Sequence, residues 1–196
     1  MLNFSIIRFL IHICLCIILQ SCSSYTTIGK RGSSAKIITY NKQLLHKCHN
    51  NKNIVLVGGC FDLLHYGHIR FLYESKMLGN YLIVALEPDI SIINYKNRVP
   101  VHNQQQRAES LSNLRAVDEV VMLPELKGFN DYSKLVQDVC PAVIAVTRND
   151  PQISNKRRQA ELVGAKLVEV TDLLVSPFVG GALSSTAIIK KLGAEQ

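Results

Sequence analysis

Residues 53–72 read "NIVLVGGCFDLLHYGHIRFL", and the folding of this stretch decides how the rest of the chain is read. Asn53 to Val57 opens it with a short β-branched and aliphatic run, long enough for a buried strand and too short for a helix. Gly58 and Gly59 end the run, and without side chains they let another group come close to the backbone. The spacing of apolar residues beyond Tyr66 predicts a helix over 67–79 that opens near Tyr66 or Gly67. Strand, glycine turn and helix in that order form the first half of a βαβ unit. In open α/β sheets ligands sit at the carboxyl ends of the strands. The helix N-terminus aims its amides and partial positive charge at the same place, which suits phosphate. His65, just before the helix, and His68, in its first turn, can therefore face one anionic pocket, with Gly67 keeping the space between them open. Asp62 is a short acid in a turn and fits a second task, bonding the backbone amides that hold the loop.

The same alternation runs outward. Strands are expected at 81–87 ("YLIVALE"), 117–123 ("VDEVVML"), 141–147 ("PAVIAVT") and 165–170 ("AKLVEV"), with helices over 102–115, 131–139, 153–163 and from Ser185 to Leu192. A further helix near Asn41 to His49 would precede the first strand. Short apolar runs alternating with helical windows predict an α/β fold, a Rossmann-like doubly wound parallel sheet of about five strands with crossover helices. There is no internal repeat or low-complexity tract. With 196 residues and 47% hydrophobic content, the chain suffices for one core and is short for two. Residues 36–196 are read as that domain.

Residues 1–35 read differently. "FSIIRFLIHICLCIIL", residues 4–19, has the length of a signal-peptide core and falls short of the roughly 20 residues of a membrane span, and Arg8 and His12 interrupt it. "LQSC", residues 19–22, resembles a bacterial lipoprotein cleavage box, and the Ser-, Thr- and Gly-rich stretch from Ser21 to Ser34 reads as a linker. A secreted lipoprotein, a membrane tether through residues 4–19 and an over-extended translation start all fit this leader. Kept as an anchor, it would leave the domain on the cytoplasmic side, since Lys30, Arg31 and Lys36 flank its end.

The formal charge is +7, but Arg8, Lys30 and Arg31 fall in the leader, where there is no acid. The remainder is only modestly basic, which suits phosphorylated small molecules as well as nucleic acid. No DNA-reading motif and no aromatic-basic stacking platform is visible, so nucleic acid is not the expected partner. Cys14, Cys16, Cys22, Cys48, Cys60 and Cys140 match neither a zinc site nor a disulfide framework, which points to a reducing compartment and no structural metal.

"GGCFDLLHYGH" resembles the first signature of the cytidylyltransferase-like nucleotidyltransferases, Gly-x-Phe-Asp-x-x-His-x-Gly-His, through Gly59, Phe61, Asp62, His65, Gly67 and His68. The resemblance implies that Gly58, Gly59, Cys60, Phe61, Asp62 and Gly67 shape a nucleotide site, and that His65 and His68 stabilise charge on the α-phosphoryl group under attack. In "ALEPDISIINYKNRVPV", residues 85–101, Lys96 matches the loop lysine of the family, while Lys76 reads as surface. "RVPVHNQQQRAESLSNLRAVDEVV", residues 98–121, is similar to the branch acting on sugar and polyol phosphates, as in the adenylyltransferase of ADP-heptose synthesis and glycerol-3-phosphate cytidylyltransferase. There Arg107 would hold the phosphorylated acceptor, and Arg115 reads as a helix-end charge. "GALSSTAIIKKL", residues 181–192, resembles the second signature, with Ser184, Ser185 and Thr186 on the outer phosphates; Ser184 or Ser185 is equally an ordinary N-cap. Two departures stand out. No basic residue precedes Ser184 in "FVGGA", and "VTRNDPQ" replaces the motif of the heptose enzymes after the fourth strand, leaving Arg148 and Asp150 to recognise base or sugar.

The resemblance implies an enzyme that transfers AMP or CMP from ATP or CTP to a phosphorylated small molecule and releases pyrophosphate. Mg2+ would travel with the triphosphate, the protein would self-associate, and its need for nucleotide places it in the cytoplasm. Two alternatives remain open: a nucleotide-binding protein of the same fold without turnover, and an adenylyltransferase of the flavin, pantetheine or nicotinamide type.

Overall fold

The computed structural model describes residues 34–40, 53–171, 175–176 and 180–193. The leader, the helix expected near Asn41 to His49 and the leader's cysteines lie outside the described residues. Six parallel strands form the sheet: β1 (Lys36–Thr39), β2 (Ile54–Gly59), β3 (Tyr81–Leu86), β4 (Glu119–Met122), β5 (Val143–Thr147) and β6 (Lys166–Thr171), in the order β1-β4-β3-β2-β5-β6. The helices are α1 (Tyr66–Lys76), α2 (Asp89–Lys96), α3 (Gln104–Ser112), α4 (Gly128–Val139), α5 (Ile153–Glu161) and α6 (Ser185–Gly193). Val175–Ser176 and Gly181–Ala182 pair as a short antiparallel ribbon, β7 and β8.

The strands are apolar on both sides, as a sheet covered on both faces requires. Val55 and Val57 turn toward a core shared with Phe71 and Leu72 of α1 and Ala108 and Leu111 of α3. Ile54 and Leu56 turn the other way, toward Leu135, Val136 and Val139 of α4 and Ala160 of α5. The period of two along β2 thus divides the core between two layers.

The structure adds two details to the expected parallel sheet. A sixth strand accompanies the five expected, because Lys36–Thr39 joins its edge by pairing with β4 from Lys36↔Glu119 to Thr39↔Met122. Tyr40 pins the end of this strand with a hydroxyl that donates to Asp138 at 2.6 Å. The second is the stretch 85–101, read as a loop, which contains α2. Its sequence, "DISIINYK", is rich in isoleucine, a weak helix former, and tertiary contact rather than propensity fixes it. Ser91 and Ile92 are buried, and Asn97 ends the helix in the left-handed region at φ 49°.

The topology fixes where a ligand can enter. From β2 the chain winds outward through β3 and β4, then returns to place β5 on the other side of β2. β2 and β5 pair only at Val55↔Val143 and Leu56↔Ile144. Beyond those residues the two strands part, and a crevice opens at their carboxyl ends, the switch point of a doubly wound sheet. Among the described residues no helix is long and apolar enough to cross a membrane.

Candidate active site

A cleft of about 220 Å³ occupies this switch point, with Gly58, Gly59 and Cys60 at the end of β2 and Ala145, Val146 and Thr147 at the end of β5. Phe61, His68 and Phe71 form its α1 side, and Lys96, Asp150 and Lys156 bring charge to it.

The turn after β2 folds tightly. Phe61 takes a left-handed backbone at φ 45° and folds its ring back over Gly59, where a Cβ would lie 2.9 Å from Phe61 Cε2. That contact explains the glycine. Asp62 is 2% exposed. Its Oδ1 accepts from the amides of Val101 at 2.9 Å and His102 at 3.1 Å, and its Oδ2 accepts from Arg98 at 2.5 Å. Burial pushes this carboxyl up, but the Arg98 bond and the two amides outweigh burial and hold it below its usual range. Asp62 therefore ties the first signature to segment 98–102. It does not line the cleft, and the nucleotide-binding role expected for it gives way to the loop-holding one.

His65 is the N-cap residue of α1 with no side-chain cap bond, and its ring stacks on that of His68 at 3.8 Å between centroids and 21° between planes. Gly67 permits this, since a Cβ there would stand 3.0 Å from His65 Cε1 and 3.1 Å from Nδ1. Phe61 packs on the other side of His68 at 5.2 Å. Both imidazoles are held neutral. Burial, then the neighbouring His65, then Lys96 lower His68 to about 3, partly opposed by a hydrogen bond to the backbone of Leu63. Burial and Lys96 also lower His65. Both ring nitrogens of His65 and Nδ1 of His68 are buried without a hydrogen-bond partner. Buried polar atoms are seldom left so, and here three lie together at one helix N-terminus.

Lys96 ends α2 and reaches the cleft. Cys60 also lines it, and burial raises its thiol. Arg107, expected to hold an acceptor phosphate, is 1% exposed and makes four hydrogen bonds within the protein. Its Nε donates to His102 O at 3.1 Å, Nη1 to Cys60 O, and Nη2 to Glu87 O at 2.9 Å and Asp89 Oδ1 at 2.7 Å. It clamps the turn after β2 to that after β3 and does not line the cleft.

The second signature meets the first, though not through free hydroxyls. Ser184 Oγ accepts from Ala187 N at 3.1 Å, the ordinary N-cap of α6. Ser185, 3% exposed, donates to Leu63 O at 3.0 Å, anchoring α6 to the loop that carries His65. Neither serine nor Thr186 lines the cleft. Arg148 is exposed and also stands apart from it, whereas Asp150 lines it. Lys76 pairs with Asp118 at 2.6 Å, and Arg115 is exposed. Lys156, absent from the expected site residues, lies in the first turn of α5 and pairs with Asp150 at 2.7 Å. Its signal was available, a lysine opening the helix after the fourth expected strand.

The sequence profile of the Cytidylyltransferase-like family matches residues 56–191. The FAD synthase of Thermococcus onnurineus (strain NA1) is 40% identical over 118 residues, covering 60% of this chain and 76% of that protein. The Bifunctional protein HldE of Helicobacter pylori (strain G27) is 34% identical over 158 residues, 80% of this chain and 31% of that protein. The chain thus spans about a third of the length of such bifunctional relatives. Among solved structures, a lipopolysaccharide core biosynthesis protein from Thermoplasma volcanium GSS1 superposes with a TM-score of 0.53 at 28% identity, covering 62% of this chain and 98% of that one. A pantoate-beta-alanine ligase from Francisella tularensis shares the fold with a TM-score of 0.58 at 18% identity, over 83% of this chain and 79% of that one.

Proposed function

The chain belongs to the cytidylyltransferase-like family, and from that premise we propose that it transfers AMP or CMP from ATP or CTP to a phosphorylated sugar or polyol. A phosphate oxygen of the acceptor forms a bond to the α-phosphorus, the bond from that phosphorus to the bridging oxygen of the β-phosphate breaks, and pyrophosphate leaves with the electron pair. The observation that carries this reading is the stacked His65–His68 pair, with three partnerless ring nitrogens; His68 lines the cleft and His65 stands behind it.

Catalysis on this reading is positioning and charge stabilisation. The imidazoles, neutral in the free protein, donate hydrogen bonds to the α-phosphoryl oxygens and gain protons as the triphosphate offsets the repulsion of Lys96. Lys96 neutralises charge from the α2 side. The amides at the N-terminus of α6 meet the outer phosphates, with Ser184 and Ser185 fixing that helix in place. Magnesium enters as part of the substrate, held by triphosphate oxygens and water. A cytoplasmic setting follows from the nucleotide requirement, and self-association is proposed from the family resemblance, to be checked by sedimentation.

A second acceptor class is favoured by the FAD synthase relative: nucleotidyl transfer to a flavin phosphate. The test incubates the protein with Mg2+, ATP or CTP and a panel of sugar phosphates, polyol phosphates and flavin mononucleotide, and identifies nucleotide-linked products by mass. A product from the sugar or polyol arm supports the first reading, and one from the flavin arm replaces it. Nucleotide binding without any product would assign a binding protein of this fold.

A further inference from the structure

Arg98 is engaged on one side only. Its Nη1 donates to Asp62 Oδ2 at 2.5 Å and to Val99 O at 3.1 Å. Its Nε and Nη2 are buried and have no hydrogen-bond partner among the described residues. These two nitrogens share the other edge of the planar guanidinium, where their N–H bonds run side by side and match two oxygens of one carboxylate or phosphate. Burying charged donors without acceptors is costly. A lysine could pair with Asp62 without presenting that edge, so the pairing alone does not account for an arginine here. Arg107 makes the contrast, since its Nε, Nη1 and Nη2 all donate within the protein.

The surroundings of Arg98 narrow the choice of anion. Lys96, two residues earlier, lines the cleft, and so does Phe61, the neighbour of Asp62 in sequence. Arg98 thus stands beside the cleft without lining it. The charge on Asp62 is shared with the amides of Val101 and His102, which leaves the outer edge of the guanidinium able to attract a second anion. On the proposed reaction the triphosphate takes His68, Lys96 and the amides of α6, and Arg107 does not line the cleft. The oxyanion still to be held is the acceptor's own phosphate. We propose that the Nε–Nη2 edge of Arg98 binds that phosphate, with Asp62 as its positioning residue, so that the site selects acceptors carrying a terminal phosphate.

This inference rests on the nucleotidyltransferase reading, and equilibrium binding separates the two. The full chain, as wild type and as Arg98→Lys, is titrated by calorimetry with the α,β-methylene analogues of ATP and CTP. With analogue bound, it is then titrated with inorganic phosphate and with glycerol 3-phosphate, and circular dichroism verifies the fold. The variant keeps a cation against Asp62 and lacks the paired edge. In parallel, the arginine Nε–H signals of isotope-labelled wild type are followed by NMR as phosphate is added. Analogue-loaded wild type is expected to bind both phosphates and to move the Nε–H signal that Arg98→Lys lacks. The variant should bind them about tenfold or more weakly, the worth of charge-assisted hydrogen bonds, with its affinity for the analogue unchanged. Phosphate that binds only when the analogue is absent marks the triphosphate site and overturns the inference. So do arginine signals that all stand still, whether or not the variant folds, an undiminished phosphate affinity in the variant, or a loss shared equally by analogue and phosphate. Each of these leaves the parent reading standing. Folded wild type that binds no analogue overturns both.

Discussion

His68 is a histidine made to stay neutral, and its neutrality has a measurable cost. Its value falls from 6.5 to about 3 on folding, through burial first and then the neighbouring His65 and Lys96. The unfolded chain therefore binds a proton that the folded one refuses between those limits. Stability is fully present above pH 6.5 and declines as pH falls toward 3. Replacing His68 by Gln should flatten the acid limb of a pH–denaturation series over that window, and an unchanged limb would show that the ring titrates normally. On the proposed reading ligand binding has the opposite sense: a triphosphate against both imidazoles would raise their pKa, so binding should take up protons and strengthen from pH 8 to 6, as calorimetry in buffers of different ionisation enthalpy would register. Asp62 acts within the same loop through structure alone. Its side chain is 0% exposed and that of its partner Arg98 16%, so Asp62→Ala leaves a largely buried guanidinium without its carboxylate. A loss of about 3 kcal/mol in urea denaturation is expected. Such roles are hard to read from sequence. The signature marks Asp62 as important, and only the contacts with Val101, His102 and Arg98 show that it holds a loop. Arg107 is harder still, because three of its four acceptors are backbone carbonyls, which every sequence carries.

Among the elements, α1 shows how stability and turnover can be separated. Gly67 lies near the start of the helix, where alanine is the better helix former by up to about 1 kcal/mol. A methyl group there would meet the His65 ring at 3.0 Å and push it from its stack. Gly67→Ala should therefore leave the melting temperature level or slightly raised while lowering turnover at least tenfold; a fall in both would mean that the glycine serves the backbone instead. The buried strands were legible because both of their faces are apolar, and runs such as "IVLV" and "LIVAL" have few other uses. α2 was not, because isoleucine-rich sequence carries no helical preference of its own and the packing that fixes it is nonlocal. β1 escaped notice because four residues, "KIIT", are too few for a periodic signal.

Across the whole molecule, the sheet order turns a linear pattern into a site. Residues from β2, α1, α2, β5 and α5 meet only because the chain reverses direction at the β2–β5 boundary. The location of the cleft is therefore readable from strand ends and topology, and Lys156 belongs to it as a lysine near the start of the helix after the fourth expected strand, although its pairing with Asp150 shows only in the structure. β1 belongs to this same assembly. A chain starting at residue 41 would bare the outer edge of β4 and strip Tyr40 from buried Asp138. It should melt several degrees lower than one starting at residue 34 and self-associate through the exposed edge, as light scattering would reveal; equal behaviour would make the strand ornamental. The central claim is that the histidine pair serves nucleotidyl transfer, and pyrophosphate release tests it most directly. The full chain is assayed with Mg2+, ATP or CTP and the acceptor panel, beside His68→Ala. The account predicts acceptor-dependent release that falls about a hundredfold or more in the variant. Release that survives the substitution undiminished would contradict it.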